Sequence, residues 1–153
     1  MSKAFEGMDR LQTKMKALEK NAKNNIANIM LDAANTLKSE AQRLIQTRSS
    51  GSEQVRYRNG KKRTVIAAKE GEAPNTDTGR LVRSLKARKT GIDEAAAGIF
   101  GQDAPYGKWL EYGTAKMGER PFLRPALKNK KEVIKQKMKG ANTKKELFKG
   151  VIK

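Results

Sequence analysis

The sequence predicts an α+β chain: a long N-terminal helix, a protruding basic β-hairpin, a small antiparallel β-sheet and a C-terminal helix. Three observations carry this expectation. Apolar residues return in steps of three and four over residues 2–47, Asn59-Gly60 divides two β-rich runs, and a second pair of runs brackets Gly91-Ile92-Asp93-Glu94. Helical periods at the ends with hairpin signals between them mark helices segregated from antiparallel strands.

The N-terminal stripe runs Phe5, Met8, Leu11, Met15, Leu18, Ala22, Ile26, Ile29, Ala33, Leu37, Ala41 and Leu44, with no proline in it. That spacing places the stripe on one helix face, expected to pack on a sheet. Asn24-Asn25 is the expected weak point, because Asn has poor interior helix propensity. Small Ala residues at many stripe positions argue against a self-associating coiled coil.

Residues 47–52 read as a linker. Gln54-Val55-Arg56-Tyr57-Arg58 and Arg63-Thr64-Val65-Ile66-Ala67 then flank Asn59-Gly60, which supplies the positive φ angles of a type I′ turn. Arg56, Arg58, Lys61, Lys62 and Arg63 make the tip cationic, suited to phosphate or an acidic partner surface, or to guarding an exposed edge by charge.

Residues 70–78 read as a loop and 79–85 as a short helix, with Asp77 or Thr78 as its cap. Residues 86–90 and 95–100 are the second hairpin, with Gly98 and Gly101 suggesting a bulge or a close backbone approach. Tyr106, Trp109, Leu110 and Tyr112 sit at short-helix spacing before Gly113, a C-cap candidate. Pro121 or Pro125 suits the first turn of the final helix, which reaches Lys139 before Gly140-Ala141-Asn142-Thr143 breaks it. Leu147, Phe148, Val151 and Ile152 form an apolar coda.

Length and charge bound the function. The chain has 153 residues, 34 Lys+Arg against 16 Asp+Glu, and a net charge of +18. That size suits one domain over 1–153: an N-terminal helix (1–47), the basic hairpin (54–67), a core (70–126) and a helical tail (127–153). The charge is spread, net +4 over 1–50, +7 over 51–90 and +7 over 91–153. Such a field favours polyanions or acidic protein surfaces, or it solvates exposed helix faces.

There is no Cys and no His. Disulfide scaffolds, thiolate zinc sites and Ser-His-Asp or cysteine catalysis are therefore excluded. No apolar run approaches the ~20 residues of a membrane span, and no signal-peptide core is present, so an intracellular protein is expected. Glu70, Glu72 and Asp77 lack EF-hand spacing, and no Gly-rich stretch carries the Lys-Ser/Thr pair of a phosphate-binding loop. Glu111 has no second acid, metal or base placed near it by spacing; pairing with Arg120 or Arg124, fixing the turn at Gly113, suits it better. The aromatics around it suit a core or a subunit interface. The expectation is a protein without catalysis, cofactor or metal.

Three ordered segments carry a resemblance: Asp77-Thr78-Gly79-Arg80-Leu81 with Ser84; Tyr106-Gly107 with Leu110-Glu111-Tyr112-Gly113-Thr114; and Arg120-Pro121-Phe122-Leu123-Arg124-Pro125-Ala126. Together they resemble the small tail components of long-tailed bacteriophages and prophages, the head–tail joining, neck or tail-completion proteins. The likeness spans residues 70–126 and leaves the basic hairpin outside; Gly107 stands where that family often has Ala. The resemblance implies both helices packed on the small antiparallel sheet. It also implies a homo-oligomeric ring, six-fold favoured over twelve-fold, at the head–tail junction or the head-proximal end of the tail. Its partners would be other neck and tail proteins and the genomic DNA in the channel, with no membrane and no small-molecule substrate. The location implied is the virion, with assembly in the host cytoplasm. On this reading Thr78, Gly79, Tyr106, Trp109, Glu111, Gly113, Thr114, Arg120, Pro121, Phe122 and Arg124 hold fold or subunit contacts, and the hairpin cations meet DNA or partner rings. The alternative is a basic nucleic-acid-binding protein that uses the 56–63 hairpin.

Overall fold

The computed structural model describes residues 3–47 and 49–141. In chain order the elements are α1 (Lys3–Gln46), β1 (Gly51–Arg58), β2 (Lys61–Ala68), α2 (Arg80–Ser84), β3 (Leu85–Lys89), β4 (Ala95–Ile99), α3 (Gly107–Tyr112) and α4 (Leu123–Ala141). The class is α+β, as expected. The apolar coda at Leu147, Phe148, Val151 and Ile152, the break at Asn142-Thr143, the ends at Ser2 and Arg48, and the side chain of Arg58 lie outside the described residues.

Helix α1 passes through Asn24-Asn25 without a break. Two Asn residues together cost on the order of 1 kcal/mol relative to Ala, too little to interrupt a helix whose following turns are buried. Burial begins at Ala27 and continues through Ala33, Ala34, Ala41 and Ile45. The upstream stripe departs from expectation: Met8, Leu11 and Met15 are 60%, 55% and 60% exposed. Helix α4 runs antiparallel to α1, with Asn129 bonded to Glu40 and Lys137 to Asp32 and Thr36, and reaches no further than the middle of α1. Nothing among the described residues covers the first turns.

The strands form two separate antiparallel pairs, β1 with β2 and β3 with β4. Asn59 (φ 49°) and Gly60 (φ 72°) take the left-handed conformations of the expected two-residue turn. The ladder runs from Arg58 opposite Lys61 to Gly51 opposite Ala68, so the strands absorb part of the expected linker. Continuing the pairing satisfies backbone groups that a linker would leave to water. Strands β3 and β4 pair one-for-one, Lys86 opposite Gly98, so the expected bulge is absent there; Gly101 (φ 74°) lies in the following turn.

The core lies where the last turns of α1 meet α2, β3 and the start of α4. Ala41, Ile45, Leu81, Leu85, Ala104, Phe122 and Ala126 are buried together, with Leu37, Leu44, Ile99, Tyr106 and Leu110 packed against them. Phe122 is fully buried, and such a side chain contributes about 2–3 kcal/mol. The α4 helix begins at Leu123, so of the two prolines suited to its first turn Pro125 lies in it and Pro121 precedes it. It also runs through Gly140 to Ala141.

Helix α2 corrects the expected cap. Gly79 occupies the N-cap position with no side-chain cap bond, and Thr78 Oγ1 is a distant 3.4 Å from the Arg80 amide. The Asp77 carboxylate turns instead to the hairpin: Oδ2 accepts from Arg56 at 3.2 Å, and Arg63 lies 3.2 Å from Oδ1 as an ion pair while donating to the Asp77 carbonyl, so that two guanidinium charges outweigh one backbone amide.

Candidate functional site

Glu111 joins α3 to α4. It is 3% exposed. Its Oε2 accepts from the backbone amides of Phe122 (2.8 Å) and Leu123 (2.9 Å), and its Oε1 from that of Arg124 (2.9 Å). These are N–H groups that a helix start leaves without partners, and a carboxylate among them also meets the positive end of the helix dipole. Glu111 therefore caps α4 from a different helix.

Arg124 closes the junction from outside. Its Nε lies 3.4 Å from Glu111 Oε1, one Nη donates to the Glu111 carbonyl at 2.6 Å, and the same Nη reaches Glu119 at 2.5 Å. Hydrogen bonding to Glu119, reinforced by the charges of Glu119 and Glu111, raises the Arg124 pKa above its ordinary value. Of the two partners expected for Glu111, Arg124 is correct and Arg120 is not. Arg120 Nε donates to the Ala68 carbonyl (2.9 Å) and its amide to the Leu110 carbonyl (2.7 Å), tying α3 to the base of the hairpin.

Gly113 ends α3 at φ 73°, where a Cβ would lie 3.0 Å from the Met117 carbonyl oxygen and 3.1 Å from the Glu119 nitrogen. Only glycine accepts both the backbone angle and the close approach. Thr114 then pairs with Met117 across a tight turn, amide to carbonyl in both directions.

Of the aromatics expected in a core or a subunit interface, two are outside the core. Trp109 is 54% exposed and Tyr112 69% exposed, three residues apart on α3, with the Arg124 guanidinium 5.6 Å from the Tyr112 ring centre. The six residues of α3 give it one inner face, which Gly107, Leu110 and Glu111 occupy, so Trp109 and Tyr112 are left outside. Tyr106 alone of this group packs against the core.

Thr78, Gly79, Tyr106 and Arg120 line a cleft of about 520 Å³ between the hairpin base and the 74–79 loop. Asp77 is its only acidic lining residue. Among the described residues no three Asp or Glu side chains gather as a cation would need. The cleft offers arginines, backbone groups and apolar walls: it can bind but has no paired acid and base.

The hairpin cations are divided. Arg56 and Arg63 stand directly opposite each other and both contact Asp77 at 3.2 Å, which screens a like-charge pair. Lys61 and Lys62 project with no ion pair among the described residues.

Sequence reasoning missed two organising residues. Glu40 is 4% exposed and accepts from Arg43 (2.7 and 3.0 Å) and Asn129 (3.1 Å), linking α1 to α4. Its signal was an acid standing inside the stripe between Leu37 and Leu44. Asn75 bonds Ser49 and the Ile66 carbonyl, pinning the loop to the hairpin; nothing in its spacing marks it.

The model of the family described as "Bacteriophage HK97-gp10, putative tail-component" matches residues 9–113. The chain belongs to this family. No curated protein and no solved structure matches the chain. The match takes in most of α1 and the whole basic hairpin, both of which the sequence resemblance had left out. It stops at Gly113, before the Arg120-Pro121-Phe122 segment. The protein is thus a bacteriophage tail component, a structural part of the virion working among other tail proteins. Its family is not one of enzymes. No helix among the described residues is long and apolar enough to cross a membrane.

Proposed function

We propose that this tail component forms a closed homo-oligomeric ring at the head–tail junction or the head-proximal end of the tail, and completes or joins the tail there without catalysis. Six copies are favoured and twelve are the alternative. The observation that carries this is a pair of unlike apolar surfaces on one small body: Trp109 with Tyr112 on α3, and Met8, Leu11 and Met15 on α1. A ring needs two different patches per subunit, each meeting the other on its neighbour, whereas a two-fold dimer needs one self-complementary patch. Exposed Trp and Tyr beside Arg are also the composition of interface hot spots.

In this reading residues 1–153 act as one domain. Glu111, Gly113, Thr114, Arg120, Pro121, Phe122 and Arg124, with Thr78, Gly79 and Tyr106, hold the frame that presents Trp109 to the neighbour. At the hairpin, Lys61 and Lys62 meet a partner or the genome, while Arg56 and Arg63 hold its angle through Asp77. Assembly takes place in the host cytoplasm. A free nucleic-acid-reading role for the hairpin loses ground, because two of its five cations are already engaged.

Light scattering and negative-stain imaging of the purified protein, alone and with isolated tail tubes, test the ring. Rings or tube-end caps are expected, and Trp109→Ser with Tyr112→Ser should abolish them while leaving the circular dichroism unchanged. A wild-type protein that stays monomeric and never joins tubes would overturn the reading.

A further inference from the structure

Helix α4 carries a second charged surface that the hairpin obscures in the sequence. At 3.6 residues per turn Arg124, Lys128, Lys131, Lys135 and Lys139 fall within about 80° of arc, a stripe about 22 Å long. All five are exposed. The opposite side of the helix is occupied: Ala126 is buried in the core, and Lys130 and Lys137 reach across to Glu40 and Asp32 of α1. The stripe therefore faces away from the body. Arg124 is held by Glu111 and Glu119, and Lys135 by Glu132. Lys128, Lys131 and Lys139 have no ion pair among the described residues.

We infer that this face of α4 lies along the phosphate backbone of double-stranded DNA and is the protein's principal polyanion contact. One strand of duplex carries a charge per ~3.4 Å of helix axis, so a stripe of this length matches the rise of about six base pairs. Five cations stand in line, and past Arg124, which Glu111 and Glu119 hold, Glu132 is the one acid paired with them among the described residues; such a row matches a uniform polyanion better than an acidic protein surface, which would vary in charge along the same length. The hairpin is the weaker candidate, since the lysines it leaves unpaired among the described residues, Lys61 and Lys62, sit together at its tip, whereas Lys128, Lys131 and Lys139 are spaced over about 16 Å of helix. Such contact is independent of sequence and strongly salt-dependent. The inference deepens the reading of a tail protein set beside the genome and rests on it for its setting, but the binding itself requires no ring.

The experiment uses the full chain and a mixed-sequence duplex of about 30 base pairs, followed by fluorescence anisotropy over a salt series. Lys128→Gln, Lys131→Gln and Lys139→Gln are combined; Gln keeps helix propensity, and circular dichroism checks folding. The expected result is weaker binding and a plot of log K against log salt about 2.7 units shallower than wild type, as loss of three phosphate contacts requires. A control removes the same charge from α1 through Lys14→Gln, Lys16→Gln and Lys20→Gln, and should change the slope little. Equal losses in both variants would mean total charge alone acts and would overturn the inference. So would an unchanged triple variant, or one whose defect appears only against polyglutamate, which would point to an acidic protein partner. Rings that form normally while the α4 variant loses DNA separate this inference from the assembly reading; a monomer that still binds through α4 would sink the ring and leave the contact standing.

Discussion

Arg124 meets Glu111 through backbone and side chain together: its amide donates to Oε1 at 2.9 Å, and its guanidinium donates to the Glu111 carbonyl at 2.6 Å. One residue of α4 thus grips both ends of one residue of α3. The carboxylate is nearly inaccessible while the guanidinium is half exposed. The joint consequently has a dry inner half, which supplies most of the energy, and a wet outer half, which supplies orientation.

Removal of the inner half should be costly. Glu111→Ala leaves the Phe122, Leu123 and Arg124 amides without their acceptor and should lose about 3–5 kcal/mol in urea unfolding. Glu111→Gln keeps one acceptor but turns an amino group toward the remaining N–H, and should lose about 1.5–3 kcal/mol. A loss under ~1 kcal/mol for the alanine variant would show that water replaces the carboxylate, against the account of a dry junction.

Acid should destabilise the fold through Glu40. Hydrogen bonding to Arg43, then to Asn129, and the charges of Arg43 and Lys130 lower its pKa from 4.5 to about 2 against the opposing effect of burial. A carboxyl depressed in the folded state contributes stability that is fully present above pH 4.5 and is lost as pH falls toward about 2. Unfolding midpoints measured across that window should decline for wild type and flatten for Glu40→Gln. Parallel curves for the two proteins would refute the assignment.

Asp77→Asn should release the hairpin. Arg56 and Arg63 are each just over half exposed, so each ion pair contributes no more than about 1 kcal/mol and the fold should survive. Amide exchange along Gly51–Arg58 and Lys61–Ala68 should quicken, because the two facing arginines then repel without an intervening acid. Affinity for duplex DNA should rise as two cations come free. Unchanged exchange with unchanged affinity would mean that Asp77 restrains nothing.

Gly107 offers a test of packing. A Cβ there would lie 2.1 Å from Ile99 Cδ1, so Ile99 must move aside in Gly107→Ala. The gain in helix propensity of up to about 1 kcal/mol opposes an overpacking cost of about 1–3 kcal/mol. Ile99→Val removes the offending methyl group. The double variant should therefore be more stable than Gly107→Ala alone, with a favourable coupling of about 1 kcal/mol in a double-mutant cycle. Additive effects would disprove the contact.

The elements were legible because their causes are local. Asn59-Gly60 needs no neighbour to favour a type I′ turn, and a stripe from Ile26 to Leu44 reads as a helix face whatever it packs on. The three ordered motifs were legible for the same reason, as residues close together in the chain. Glu111 was recognisable as a structural acid, although its main partners, the first amides of α4, were not foreseen.

By itself the sequence determined the α+β class, the order of helices and hairpins, the surplus of positive charge and the likeness to phage tail components. All of these follow from short-range periodicity, turn chemistry and composition. Tertiary structure alone decided that the stripe from Met8 to Met15 stays uncovered, that Trp109 and Tyr112 face solvent and that Asp77 claims Arg56 and Arg63. It also decided that α4 turns its lysines away from α1. Those outcomes depend on how far α4 reaches, which side of a six-residue helix meets the core and which charges arrive within hydrogen-bonding distance. Such distances are set by packing across the chain, and no spacing along it encodes them.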